Sequence, residues 1–284
     1  MYIIQIFTVI FLSGASIVAL AQGAADGCGE VVTLKTHDNT TMRYALSQAK
    51  GAPAQGGPIA LVLLPGGGGH ANLDDRGCPR ALTGNSLVRS IPIFNELGFV
   101  TALVDAPSDH PGDDGLAGFR IMPQHAEDLG KVIAELRARI KGPVWVIGTS
   151  RGSISAVNAA DRLSGPSAPD GIVLTSALIV GSQSNIRPWL YQTVFEAKLE
   201  GIKLPILVVG HAADKCLRSP PSQMERITAR TNGVREQVAT VTGGPGYPGA
   251  ISIAACEGRA PHGFIEQEAE VAAGIARFVR GGSY

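Results

Sequence analysis

The chain has 284 residues, is 45% hydrophobic and 17% charged, and carries no formal net charge at pH 7. That balance fits a globular chain with enough apolar residues for a sizeable core, and it offers no basic face for a nucleic-acid partner. Aromatic residues make up only 5% of the chain, which argues against a surface that stacks sugars or bases.

The first stretch, "MYIIQIFTVIFLSGASIVALAQG", is mostly apolar, has no Lys or Arg, and passes through Ala19-Leu20-Ala21. Small residues in an A-x-A arrangement after an apolar run are the mark of signal-peptidase cleavage. Residues 1–21 are therefore read as a signal peptide and residues 22–284 as one domain, exported to the periplasm or secreted. The missing basic n-region departs from the signal pattern, and a retained membrane anchor is the competing reading, since about 20 apolar residues can span a bilayer. If the segment is cleaved, no stable membrane insertion is expected. An exported chain with Cys28, Cys78, Cys216 and Cys256 invites disulfides, and four cysteines allow three connectivities. There is no C-x-x-C, and no cysteine has a histidine in metal-site register, so no metal centre is expected.

After this segment, "EVVTLKTHDNTTMRYALSQA" reads as an antiparallel hairpin around the polar turn His37–Thr40. "IALVLLPGGGGH" is a buried strand that meets a glycine cluster. "NSLVRSIPIFNELG" looks helical, with Asn85 as cap and Gly98 as stop, although Pro92 lies inside it. "FVTALVDAP" is a second buried strand, and "QHAEDLGKVIAELRARI" has helical period with a charged outer face. "VWVIG" is a strand followed by the helix "SISAVNAADRLS"; "GIVLTSALIV" and "LPILVVG" are strands. "SPPSQMERITARTN" is read as a helix, "REQVATVTG" as a strand and "EQEAEVAAGIARFVRG" as the closing helix. Strands and helices that alternate in this way imply right-handed crossovers and a mostly parallel sheet with helices on both faces. The only room for a lid is residues 181–203, and it is minimal.

"VWVIGTSRGS" contains Gly148-x-Ser150-x-Gly152. In a chain with 36 glycines the bare pentapeptide is weak, but a strand enters it and a helix leaves it. That is the setting of a nucleophile elbow, where a serine on a strained turn presents its hydroxyl at the top of a sheet; the plain alternative is a strand-to-helix turn capped by a serine. A serine hydroxyl needs a base. His262, in "APHGF" before the closing helix, is favoured; His211, directly after a strand, is the competitor, while His125 is placed on a solvated helix. Asp214, in "VVGHAADKC", is the candidate acid, giving the order Ser150, Asp214, His262; Asp105 is an alternative by location. Gly66–Gly69 supply backbone N–H groups without side chains in the way. Gly67 or Gly68, with the N–H of Arg151, are candidate oxyanion donors. A phosphate loop is excluded, because no G-K-[ST] and no G-x-G-x-x-G with an acidic partner is present.

"VWVIGTSRGS", "LLPGGGGH", "VVGHAADKC" and "PHGF" together resemble the elbow, oxyanion loop, acid loop and histidine loop of the α/β-hydrolase superfamily, over about residues 31–280. The likeness is to exported bacterial members of uncharacterised role. It implies that fold, with Ser150 as nucleophile, Asp214 as acid and His262 as base. It also implies a bond between Cys216, just after the acid, and Cys256, just before the histidine. Such a bridge closes about 40 residues and is worth roughly 4 kcal/mol on a chain-entropy model. Cys28 and Cys78 are then left as the second pair. Where many relatives carry histidine, the oxyanion loop here begins on Pro65.

The implied activity is a serine hydrolase, a carboxylesterase acting on a small ester through an acyl-enzyme, with no cofactor. Peptidase, thioesterase and ligand-binding functions on the same fold are the alternatives. Trp189, Tyr191 and Phe195 in the short lid are candidates to line an acyl pocket, and Asp113 and Asp114 sit in a loop above the same edge of the sheet.

Overall fold

The computed structural model describes residues 27–52, 56–182 and 187–284. The segment read as a signal peptide, residues 1–21, and residues 183–186 of the stretch read as a lid lie outside the described residues. Eight strands form one open sheet: β1 (Glu30–Lys35), β2 (Thr41–Ser47), β3 (Ile59–Leu64), β4 (Phe99–Val104), β5 (Val144–Thr149), β6 (Gly171–Thr175), β7 (Ile206–His211) and β8 (Glu236–Val241). Their spatial order is β1-β2-β4-β3-β5-β6-β7-β8. β2 runs antiparallel to both β1 and β4, and every other pairing is parallel.

The near-continuous apolar runs of β3, β4 and β5 are explained by burial on both faces, as expected for the middle of a parallel sheet. Successive residues point to opposite sides. In β3, Ala60, Val62 and Leu64 enter one core and Ile59, Leu61 and Leu63 the other. On the first side the sheet packs against α2 (Pro123–Ile140), through Leu129, Val132, Ile133 and Leu136, and α3 (Gly152–Arg162), through Ala156, Val157 and Ala159. On the other it packs against α1 (Ser86–Glu96), through Leu87 and Phe94, and α5 (Glu268–Val279), through Val271, Ala272, Ile275 and Phe278. Each large apolar side chain so buried contributes about 1.5–3 kcal/mol relative to exposure.

α1 begins where expected: the Asn85 side chain accepts from the Leu87 N–H, satisfying one orphan donor of the first turn. The helix continues through Pro92 to Glu96. Two expected elements are shorter than their sequence patterns. The segment 219–232 forms a single turn at Pro221–Gln223 and a four-residue helix, α4 (Glu225–Thr228). The strand read over residues 171–180 stops at Thr175, because Ser176 adopts φ +44°. The described part of the short lid consists of single helical turns at Pro188–Tyr191, Val194–Glu196 and Leu199–Gly201. No helix among the described residues is long and apolar enough to cross a membrane.

Candidate active site

β5 delivers the chain into the turn that carries Ser150, and α3 carries it away. Ser150 has φ +51°, a left-handed conformation that costs an L-residue about 1–2 kcal/mol. The turn is held on both sides. The Ser150 N–H donates to the Thr175 carbonyl at 2.9 Å. Its own carbonyl accepts from the Ser153 N–H at 3.0 Å and the Ser153 hydroxyl at 2.5 Å. The flanking glycines are there because backbone passes too close for anything else. A Cβ on Gly152 would lie 2.0 Å from the Leu64 carbonyl oxygen, and one on Gly148 would lie 2.4 Å from that of Gly152.

Opposite Ser150, the turn Pro261–Gly263 before α5 presents His262, which is 3% exposed. Its Nδ1 lies 2.9 Å from Asp214 Oδ2. With the Nδ1 proton donated to that carboxylate, Nε2 is left as a lone pair, and it has no hydrogen-bond partner among the described residues. The other oxygen of Asp214 accepts from the Cys216 N–H at 2.7 Å. Cys216 is bonded to Cys256, and the two strands of chain around the bond pair through Leu217 N–H to the Ser252 carbonyl at 3.1 Å and Ser252 N–H to the Lys215 carbonyl at 3.0 Å. The base is pinned from below as well: the Ser176 hydroxyl donates to the His262 carbonyl at 2.7 Å. The left-handed turn that ends β6 early therefore places a hydroxyl against the histidine loop. Cys28 and Cys78 form the second disulfide, which ties the chain before β1 to the loop after the glycine cluster.

Ser150 and His262 line one cavity of about 240 Å³, together with Gly66, Gly67, Leu82, Asn85, Cys256 and Gly258 among others. Gly67 is exposed to it, whereas Gly68 is buried with its α-carbon turned toward the Asp113 carbonyl. Among the described residues, the N–H groups of Gly67, Gly68 and Arg151 donate to no backbone carbonyl. The Arg151 N–H belongs to the first turn of α3, where donors are unpaired and the helix dipole is positive. The glycine loop is fastened by two side chains. Asp105, at the end of β4, accepts from the N–H groups of Ala71, Asn72, Leu73 and Ala106 at 2.7–3.2 Å. It is a buried anchor for the chain just beyond the loop, which accounts for its place at the sheet edge.

The second fastener, Arg120, was not singled out in the sequence. It is 1% exposed and donates to the Pro65 and Gly67 carbonyls at 3.1 and 3.3 Å and to the Ser155 hydroxyl at 2.8 Å. Burial, with the nearby Arg151 charge, pulls its pKa well below the ordinary arginine value. Beside it His125, expected on a solvated face, is 1% exposed, with Nε2 2.9 Å from the Ser155 hydroxyl. Burial and the Arg120 charge push its pKa well down and keep it neutral. Helical periodicity alone did not separate His125 from the outer face of α2.

The remaining sequence candidates fall elsewhere. His211 is buried at the end of β7, where its Nδ1 accepts from the Ala213 N–H at 3.1 Å, and burial lowers its pKa. Trp189, Tyr191 and Phe195 are not among the residues lining the cavity. Trp189 instead stacks under the Arg151 guanidinium at 4.0 Å, Tyr191 is 51% exposed, and Phe195 lies beneath Arg226 and Arg230. Burial brings the Arg151 pKa down to about 10. Asp114 pairs with Arg187 at 3.1 Å on the surface.

A left-handed serine between strand and helix, a carboxylate-bound imidazole across a cavity, and free N–H groups beside it can perform nucleophilic acyl transfer. The strand order and this placement define the α/β-hydrolase fold. Solved structures with the same fold include a monoglyceride lipase variant from Saccharomyces cerevisiae in complex with a substrate analogue (TM-score 0.62, 10% identity, covering 92% of this chain and 97% of that one). A thermostable carboxyl esterase from Bacillus coagulans aligns with TM-score 0.58 at 14% identity over 88% of this chain and 97% of that one. An alpha-beta serine hydrolase homologue from Coxiella burnetii gives 0.55 at 14% identity, over 88% and 97%. At these identities the likeness is one of fold. No family model matches the sequence, and a search of curated proteins gives no match.

Proposed function

We propose that the protein is a serine hydrolase that cleaves a small carboxylic ester through an acyl-enzyme. The observation that carries this reading is the left-handed Ser150 facing the same cavity as a His262 whose Nδ1 is held by Asp214. In this reading His262 Nε2 takes the Ser150 proton as the hydroxyl oxygen attacks the ester carbonyl. The N–H groups of Gly67 and Arg151 receive the oxyanion, with Gly68 as the alternative donor to Gly67. His262 then returns the proton to the leaving alcohol, and water repeats the sequence on the acyl-enzyme. Each oxyanion donor is worth about 2.7–4 kcal/mol in the transition state. The esterase and lipase names of the structural neighbours support an ester substrate, and a cavity of about 240 Å³ suits a short one. The two disulfides support an exported chain, and in this reading residues 1–21 are removed as its signal peptide.

The test is labelling with a fluorophosphonate probe alongside hydrolysis of p-nitrophenyl esters of increasing acyl length. The parent labels and turns over short esters, and Ser150→Ala does neither. A folded, disulfide-intact parent that does not label overturns the reading and brings a binding function forward.

A further inference from the structure

A second constellation lies away from the cavity, where the β1–β2 turn meets the loop after β4. His37 Nε2 is 3.0 Å from Asp109 Oδ2, and His110 Nε2 is 3.7 Å from the same oxygen. One ligand atom from each of the three residues lies within 4.8 Å of the others. The opposite nitrogen of each ring is already committed. His37 Nδ1 lies 2.5 Å from Asp128 Oδ2, and the His37 N–H donates to Asp128 Oδ1 at 3.0 Å. Asp128 is fully buried on α2, and its other neighbour is Lys131 at 3.4 Å. His110 Nδ1 lies 3.2 Å from the Gly115 carbonyl. Phe119 holds both rings, with its centroid 4.8 Å from that of His37 and 4.2 Å from that of His110.

With both Nδ1 protons donated outward, each Nε2 is a lone pair, and both are turned on one carboxylate oxygen. A proton on His37 satisfies one of these contacts. A divalent cation satisfies both. Metal-bound histidines donate their second nitrogen to a carboxylate or a backbone carbonyl, which fixes ring and tautomer; Asp128 and Gly115 are one of each. Ligands about 2.0–2.1 Å from a tetrahedral metal stand about 3.3 Å apart, so the 3.0 Å spacing widens slightly, the 3.7 Å spacing shortens slightly, and the two histidine nitrogens, within 4.8 Å, move together around the ion.

We propose that His37, Asp109 and His110 bind one divalent first-row transition-metal ion of the zinc kind, with water in the fourth position. Imidazole and carboxylate ligands suit such ions. The site is structural in this account. It clamps the N-terminal hairpin to the 105–116 loop, and that loop buttresses the glycine loop through Leu116 N–H to the Gly68 carbonyl at 2.8 Å and Gly112 N–H to His70 Nδ1 at 2.9 Å. The proposal does not rest on the assignment of Ser150, and its readouts are binding and stability rather than turnover.

The experiment uses disulfide-intact protein stripped with EDTA, then titrated with zinc chloride by calorimetry and with cobalt chloride by visible absorption. The expected result is one zinc per chain, cobalt d–d bands of a low-coordinate site, and a Tm raised by about 5 °C at zinc 100-fold above Kd. Asp109→Asn, at a 41% exposed side chain, and His110→Ala, at a 26% exposed one, keep the native near-ultraviolet circular dichroism. Each weakens zinc at least tenfold and loses the Tm shift. Absence of saturable zinc binding in the parent, or equal binding in both variants, overturns the site and leaves an ion-pair cluster in which a protonated His37 bridges Asp128 and Asp109.

Discussion

The two walls of the candidate active site are held by different means. On the acid–base wall, the Asp214 loop and the chain leading to His262 are joined covalently through Cys216 and Cys256, and Cys256 itself lines the cavity. On the glycine wall no covalent link touches residues 66–69. Its carbonyls are held from beneath by Arg120, and the chain just after it by the Asp105 carboxylate. The first wall belongs to long loops beyond β7 and β8, far apart in sequence, where a cross-link removes much unfolded-chain freedom. The second follows β3 directly, next to β4 and α3, so buried polar groups of neighbouring elements can reach it. Placement within fractions of an ångström is therefore supplied by a bond where the chain is long and by hydrogen bonds where it is short.

This contrast can be broken one wall at a time. The largest effect is expected from Asp214→Asn, which leaves His262 without the carboxylate that sets its tautomer: kcat on p-nitrophenyl acetate falls by about 10⁴-fold with unchanged circular dichroism. Next, Cys216→Ser with Cys256→Ser lowers stability by about 4 kcal/mol in urea denaturation and also lowers kcat, because the Asp214 loop loses its tether. On the glycine wall, Arg120→Met is expected to lower kcat by about 10- to 100-fold through a displaced Gly67. Its denaturation midpoint falls as well, because the Pro65 and Gly67 carbonyls and the Ser155 hydroxyl lose their buried donor. The smallest effect on catalysis belongs to Cys28→Ser with Cys78→Ser. That pair loses stability on the same scale as the other disulfide but keeps kcat, as neither cysteine lines the cavity. If the Cys28–Cys78 variant loses as much kcat as the Cys216–Cys256 variant, the division between the walls is wrong.

Most of the fold was legible because it rests on local pattern. Apolar runs such as "IALVLL" and "VWVIG", short and bounded by glycine or proline, read as strands buried on both faces, and amphipathic runs between them cover those faces. The errors came at ends and at solvent exposure. The strand starting at Gly171 reads on through "SALIV", and nothing local announces the turn at Ser176, which is stabilised by its hydrogen bond to the His262 carbonyl from a distant loop. His125 reads as an outward-facing helical residue until Ser155 and Arg120 are seen beside it.

The sequence by itself determined the order of strands and helices, the Gly-x-Ser-x-Gly turn between one of each, and the candidates Asp214 and His262 after later strands. Those features depend on residues close in the chain, whose periodicity and backbone freedom act locally. Tertiary structure alone decided that Asp105 anchors the glycine loop rather than a histidine, and that Arg120 lies buried beneath that loop. It also removed the three lid aromatics from the cavity wall and brought His37, Asp109 and His110 within reach of one ion. Burial and charge environment are sums over neighbours brought from every part of the chain, and no spacing along the sequence encodes them.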